Sequence, residues 1–156
     1  MSMEDAIRGV HNHLFYNLAA ELATISTVRG IVIPLWAEIS MGPSLTHQMP
    51  LIEVLPDKEH PEYSNENANY SAGWDYDNIV LAIAHEGSDP KAVMMNVVRY
   101  AEGIKKLIEK DDTFDGVFVD VKRGDVDYAA MVRDSKTGII LQVAMVPLTV
   151  KQTFNG

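Results

Sequence analysis

The stretch Ser88–Lys110, SDPKAVMMNVVRYAEGIKKLIEK, decides how the rest of the chain is read. Val93, Val97, Ala101, Ile104 and Ile108 recur at steps of three and four, which places them on one helical stripe, and Met94, Val98 and Leu107 widen it. Asp89 stands at the N-cap with Pro90 at the first helical position, while Lys105, Lys106 and Lys110 crowd the far end, where the helix dipole favours positive charge. So broad an apolar stripe needs a sheet to cover. The following residues supply one, because Gly116–Lys122, Asp125–Arg133 and Ile139–Val150 each read as a strand. Turns at Arg123-Gly124-Asp125 and Asp134–Gly138 predict a meander, each strand bonded to the next, with Val117, Val119 and Val121 on its covered face. The last strand is long enough to reach past the sheet toward another chain.

Upstream, Ile7, Val10, Leu14, Leu18, Leu22 and Ile25 fall at helical spacing, so a first helix spans Glu4 to about Thr27, with Glu4 and Asp5 in its first turn and Gly30 as its stop. His11 and His13 lie two apart on it and point in different directions, which reads as surface or boundary histidines and not as a metal pair. Ile31–Ile39 is β-branched enough for a strand, pushed to an edge by Pro34. Ser40–His47 reads as a loop, and Pro50–Pro56 as a short strand fixed at both ends by proline. From Asp57 to Gly73 the chain is polar and aperiodic, an expected long exposed loop. Trp74–His85 alternates again with both faces apolar, a central strand. The expected fold class is therefore α+β: a mostly antiparallel sheet with two long helices packed against it, closing in a three-strand meander, all in one domain over residues 1–156.

Composition narrows the function classes. A hydrophobic share of 47% beside a charged share of 22% is that of a globular chain, which sets aside disorder and fibrous repeats. Cysteine is absent, removing disulfides, thiolate nucleophiles and cysteine-bound zinc. A net charge of -9 opposes a protein that grips nucleic acid through its phosphates. No apolar run approaches the roughly 20 residues of a membrane span, and the acidic, amphipathic start fits neither a secretory nor a transit signal, so a cytoplasmic site is expected.

Candidate chemistry is sparse. His85-Glu86 lacks the second histidine of a zinc-protease helix, since position 89 is Asp. Asp111, Asp112 and Asp115 lack the spacing of a calcium loop. Asp75-x-Asp77 and Asp125-x-Asp127 each put two carboxylates on one side of a strand, a geometry that some metal-dependent enzymes use and that also arises by chance in an acidic chain. No phosphate loop, dinucleotide fingerprint or nucleophile elbow is present, so no catalytic, cofactor or metal residue is assigned and the chain reads as a non-enzyme.

Taken together, the order of elements resembles the tail terminator (tail completion) proteins of long-tailed bacteriophages. The local likenesses are Pro50-Leu51-Ile52-Glu53-Val54-Leu55-Pro56, the junction Asp111-Asp112-Thr113-Phe114-Asp115-Gly116-Val117, and Asp125-Val126-Asp127-Tyr128 leading into the last strand; the Asp57–Gly73 loop departs from the pattern. The resemblance implies a structural protein found in the virion tail, and in the host cytoplasm during assembly. Its copies would form a ring, typically of six, that caps the tail tube and meets the head connector. Tail tube protein and connector are then its partners, with DNA passing through an acidic lumen and no sequence-specific binding of it. Trp36, Met41, Leu45 and Met49 are the expected apolar part of the subunit contact. A neck or head-closure protein of the same virion region is the nearest alternative, and a small metal-dependent enzyme built on one of the Asp-x-Asp pairs is the alternative from another class.

Overall fold

The computed structural model describes residues 2–63 and 73–153. Its elements run α1 (Met3–Arg29), β1 (Glu38–Met41), β2 (Leu51–Tyr63), β3 (Gly73–Gly87), α2 (Pro90–Lys110), β4 (Asp120–Arg123), β5 (Asp127–Tyr128), β6 (Val132–Arg133) and β7 (Ile140–Thr153). The fold is α+β: the strands form one sheet in the order β1-β2-β3-β7-β4, antiparallel except where β1 lies parallel to β2.

Both helices begin and end where their local chemistry dictates. Ser2 caps α1 through a reciprocal box with Asp5, which leaves the Asp5 carboxyl below its ordinary range because it accepts from the Ser2 backbone and hydroxyl. Gly30 closes the helix in the left-handed conformation at φ 63°. Asp89 caps α2, accepting from the Lys91 and Ala92 backbone N–H groups, and Pro90 opens it. All five stripe residues of α2 are buried; Val97, Ala101, Ile104 and Ile108, with Ala6, Val10, Leu14, Leu18 and Leu22 of α1, meet one sheet face made of Ile52, Val54, Ile79, Leu81, Ile83, Ala144, Val146, Leu148 and Val150. Gly103 is where the helices come closest: a Cβ there would stand 2.9 Å from Leu22 Cδ2.

Four expected elements take other forms. Residues 31–36 are irregular, and the strand starts only at Glu38. Pro34 cannot donate to a ladder, and its carbonyl is satisfied instead by the buried Tyr100 hydroxyl, whose pKa burial pushes up. The strand after Pro50 does not stop at Pro56; β2 runs on to Tyr63 across an irregularity between Pro56 and Lys58, which absorbs the proline in the ladder. Residues 57–63 are thus strand and not loop, and the remainder of that expected loop, residues 64–72, lies outside the described residues. Residues 116–119 are not strand either. Phe114, Asp115 and Gly116 are left-handed at φ 49°, 60° and 79°, so the chain turns there, burying Phe118 and leaving Val117 and Val119 exposed.

The last difference concerns pairing. The C-terminal strands lie in the sheet, but β4, β5 and β6 bond to β7 and not to one another. The pairs Arg123↔Leu148, Asp127↔Met145, Tyr128↔Ala144 and Val132↔Leu141 show why. Four steps along the first arm match three along β7, twice, so each interval holds one extra residue. Gly124, whose N–H donates to the Pro147 carbonyl, sits in the first interval: it marks a bulge, and not the reversal expected at Arg123-Gly124-Asp125. Residues 119–133 form one interrupted arm of a hairpin, and Asp134–Gly138 is its turn.

Candidate functional site

A cleft of about 740 Å³ lies between α1 and the turn that follows α2. Arg8, Asn12, His13 and Tyr16 form its helical wall, and Phe114 and Asp115 the opposite one. The turn is held by Asp111, whose carboxylate accepts from Thr113 N (3.0 Å), Thr113 Oγ1 (2.7 Å) and Asp115 N (2.7 Å). The Asp115 backbone N–H is the largest of the influences that bring the Asp111 pKa down to about 2. That side chain keeps two non-glycine residues left-handed, and thereby presents the Phe114 ring to His13.

His13 is the residue that sequence reasoning placed wrongly. It is 9% exposed, stacks on Phe114 at 4.0 Å between ring centroids, and its Nδ1 lies 3.9 Å from Asp115 Oδ2. Burial holds its pKa below the ordinary histidine value, against the opposing pull of Asp115 and Asp111. The signal was available: His13 is three residues after the buried Val10 and next to Leu14, on the margin of the stripe. His11 is the boundary residue expected, with Nε2 2.8 Å from the Ile39 carbonyl.

The carboxylate pairs go separate ways. Asp77 is buried beside Gln152, which donates to it and to the Ser2 carbonyl, and burial raises the Asp77 pKa despite that bond. The Gln152 Oε1 atom is buried without a partner. Asp75 stays half-exposed, while Asp125 and Asp127 are exposed on the hairpin arm. Among the described residues no three His, Asp or Glu side chains gather as metal ligands. His85 lies near the end of the central strand; its Nδ1 is buried and unpartnered, and burial lowers its pKa. No family model and no curated protein matches this chain.

The four expected contact residues lie before, at the end of and after β1. Leu45 is 96% exposed, and Met41, at the end of β1, is exposed over a smaller cavity of about 430 Å³ shared with Met3, Ile7 and Pro56. Trp36 is half-buried against the core, and Met49 is half-buried before Pro50. Between them Ser44 and Thr46 donate to Glu38, and the Ser44 N–H to Glu53, which pins the 42–50 loop across β1 and β2.

A second surface was not foreseen. The sheet face turned away from the helices carries Leu55, Val80, Val143 and Pro147, each half-buried, around the exposed Met145. The row through Met145 ends in a carboxylate on either side, Asp127 paired with Met145 itself and Glu53 paired with Ala82, so this is a small apolar patch rimmed by charge, the make-up of a contact with other protein surface.

Proposed function

We propose that this chain is a structural virion protein of a long-tailed phage or prophage: a tail terminator whose copies close into a ring, typically of six, at the head-proximal end of the tail tube and join it to the head connector. The observation that carries this reading is the sheet with both helices on one face and, on its helix-free second face, an apolar patch around Met145 bordered by Asp127 and Glu53. A monomer gains nothing from such a face, whereas a subunit enclosed by neighbours buries it, at about 25 cal/mol per Å² of apolar surface. The net charge of -9 suits a lumen through which DNA must slide without sticking. Element order and the Asp111–Val117 junction support the same reading through the family resemblance.

Electron microscopy of the purified chain mixed with terminator-free tail tubes tests it. Closed rings on one end of the tubes are the expected result. Binding to filled heads in place of tubes would transfer the chain to the neck of the virion, and no binding to either would end the assembly reading.

A further inference from the structure

The two ends of β7 carry surfaces of opposite charge. At its start is the hairpin tip, where Asp134 is the sole carboxylate and is engaged inside the turn, accepting from Lys136 N (2.8 Å) and Thr137 N (3.4 Å). Arg133 and Lys136 are exposed, and neither belongs to an ion pair among the described residues. Backbone bonds of 2.8 Å from Asp134 N to the Ile139 carbonyl and from Gly138 N to the Asp134 carbonyl hold the tip in shape without a neighbour. Val132 and Ile139 are exposed apolar shoulders behind it.

At the finish of β7 is the cleft beside α1, since Gln152 donates to the Ser2 carbonyl and Val119, just past the turn after α2, donates to the Lys151 carbonyl. The exposed Asp115 carboxylate stands on its lip, 3.9 Å from a His13 ring that burial keeps neutral. His13 itself, nine-tenths buried in the cleft wall, lacks a partner. Asn17 Nδ2 donates to the His13 carbonyl at 2.9 Å, which fixes the amide and sets the same nitrogen 3.3 Å from Nδ1. Nδ1 is then the acceptor, the proton belongs on Nε2, and no acceptor among the described residues meets it. Such a donor in a cleft wall calls for an oxygen from outside.

We propose that the hairpin tip of one copy enters the cleft of the next, with Lys136 paired to the partner's Asp115 and a tip carbonyl accepting from Nε2–H of the partner's His13. The Ser135 and Lys136 carbonyls accept no backbone bond among the described residues and are the candidates. Val132 and Ile139 then rest against the partner's Tyr16 and the partner's Val117, both exposed at the cleft. Charge selects the occupant: two chains at -9 repel in most orientations, and here a basic projection meets an acidic lip. Ile140 and Gln152 stand about 40 Å apart along one strand, so no chain fills its own cleft and the contact runs head to tail. A heterologous contact passes from copy to copy, closing into a ring where the rotation allows and extending into a filament where it does not. One such contact buries less than about 1,200 Å² in total and is weak; closure strengthens it by making the last contact intramolecular.

The proposal rests on the ring reading for its closed form alone. Carbodiimide, which joins a carboxylate to an amine in direct contact, is applied to a mixture of isotopically light and heavy full chains at about 100 µM, a concentration that populates weak contacts. A Lys136–Asp115 link between light and heavy copies is the expected product; its absence overturns the proposal. Sedimentation gives the second measurement. Lys136→Glu alone and Asp115→Lys alone should each associate about tenfold more weakly than the unaltered chain, and their equal mixture should recover, because each tip then meets a cleft of opposite sign. Asp115→Asn, which suits the left-handed backbone at φ 60°, should weaken association too, with its melting temperature showing that the fold is kept. Single variants that associate as well as the unaltered chain, or a mixture that does not recover, refute the contact. Linked copies that never cap a tube would remove the terminator reading and keep this one, and rings on tubes without the link would do the reverse.

Discussion

The two helices of this protein are alike on the inside and unlike on the outside. Each lays an apolar stripe on the same sheet face, and each is capped at its N-terminus by a side chain. Outward, α2 shows Lys91, Arg99, Lys105, Lys106, Glu109 and Lys110, laced by i,i+4 pairs such as Lys105–Glu109 at 3.8 Å, while α1 shows no charge along most of its length. A solvated helix needs the first kind of face; the second is suited to being covered. α1 also does what α2 does not: it builds the wall of the cleft through His13, and its N-cap Ser2 offers a carbonyl to Gln152. The difference teaches that α2 is a helix of the fold, and α1 is also a helix of the surface.

The largest test breaks the inner likeness. Ala101→Asp places an unpaired carboxylate where α2 meets the sheet, at 4% exposure, and should cost more than about 4 kcal/mol, seen as loss of a cooperative thermal transition. Phe114→Ala comes next. Removing the ring that His13 stacks on should destabilise by about 3–5 kcal/mol in urea titration; a loss under about 1 kcal/mol would mean that the turn collapses freely onto α1.

Two smaller effects sharpen what α1 and its neighbours add. Asp77→Asn gives the orphaned Gln152 Oε1 a donor and removes a carboxyl whose native pKa is raised. A raised native pKa means that the native state holds its proton longer, so stability falls as pH climbs above the ordinary value of 3.8; the variant should lose that decline and gain about 1 kcal/mol near neutrality. His13 has the opposite sign. Its native pKa lies below the ordinary 6.5, so the unfolded chain takes up a proton first, and stability is lost as pH falls through 6.5 toward the native value. His85 adds to this loss for the same reason. His13→Gln should therefore flatten the fall in melting temperature from about pH 7 to about pH 5 without abolishing it. An unchanged slope would show that the histidine is not held neutral.

The parts of the fold that periodicity governs were legible in the sequence: both helices, the central strand, the capping by Asp89 and the long last strand follow from spacing and from single residues with one strong preference. What failed was punctuation. Pro56 and Gly124 were read as ends and reversals, yet a strand paired by a long neighbour can carry either inside a bulge, because only the partner's ladder reveals the register. The left-handed run at Phe114–Gly116 depends on the side chain of Asp111, a contact that local propensity does not encode. The same limit applies to the sites. Exposure at Leu45 and Met41 follows one residue at a time, but the apolar patch around Met145 and the uncharged outer side of α1 emerge only once the buried stripes are fixed.

The central claim is that this acidic chain works through surfaces it shares with other chains. Native mass measurement of the purified full chain, alone and with tail tubes, tests it most directly. The expected result is a series of assembled species built from 17.3 kDa units, with a closed ring on the tubes. A single species of 17.3 kDa under both conditions would contradict it.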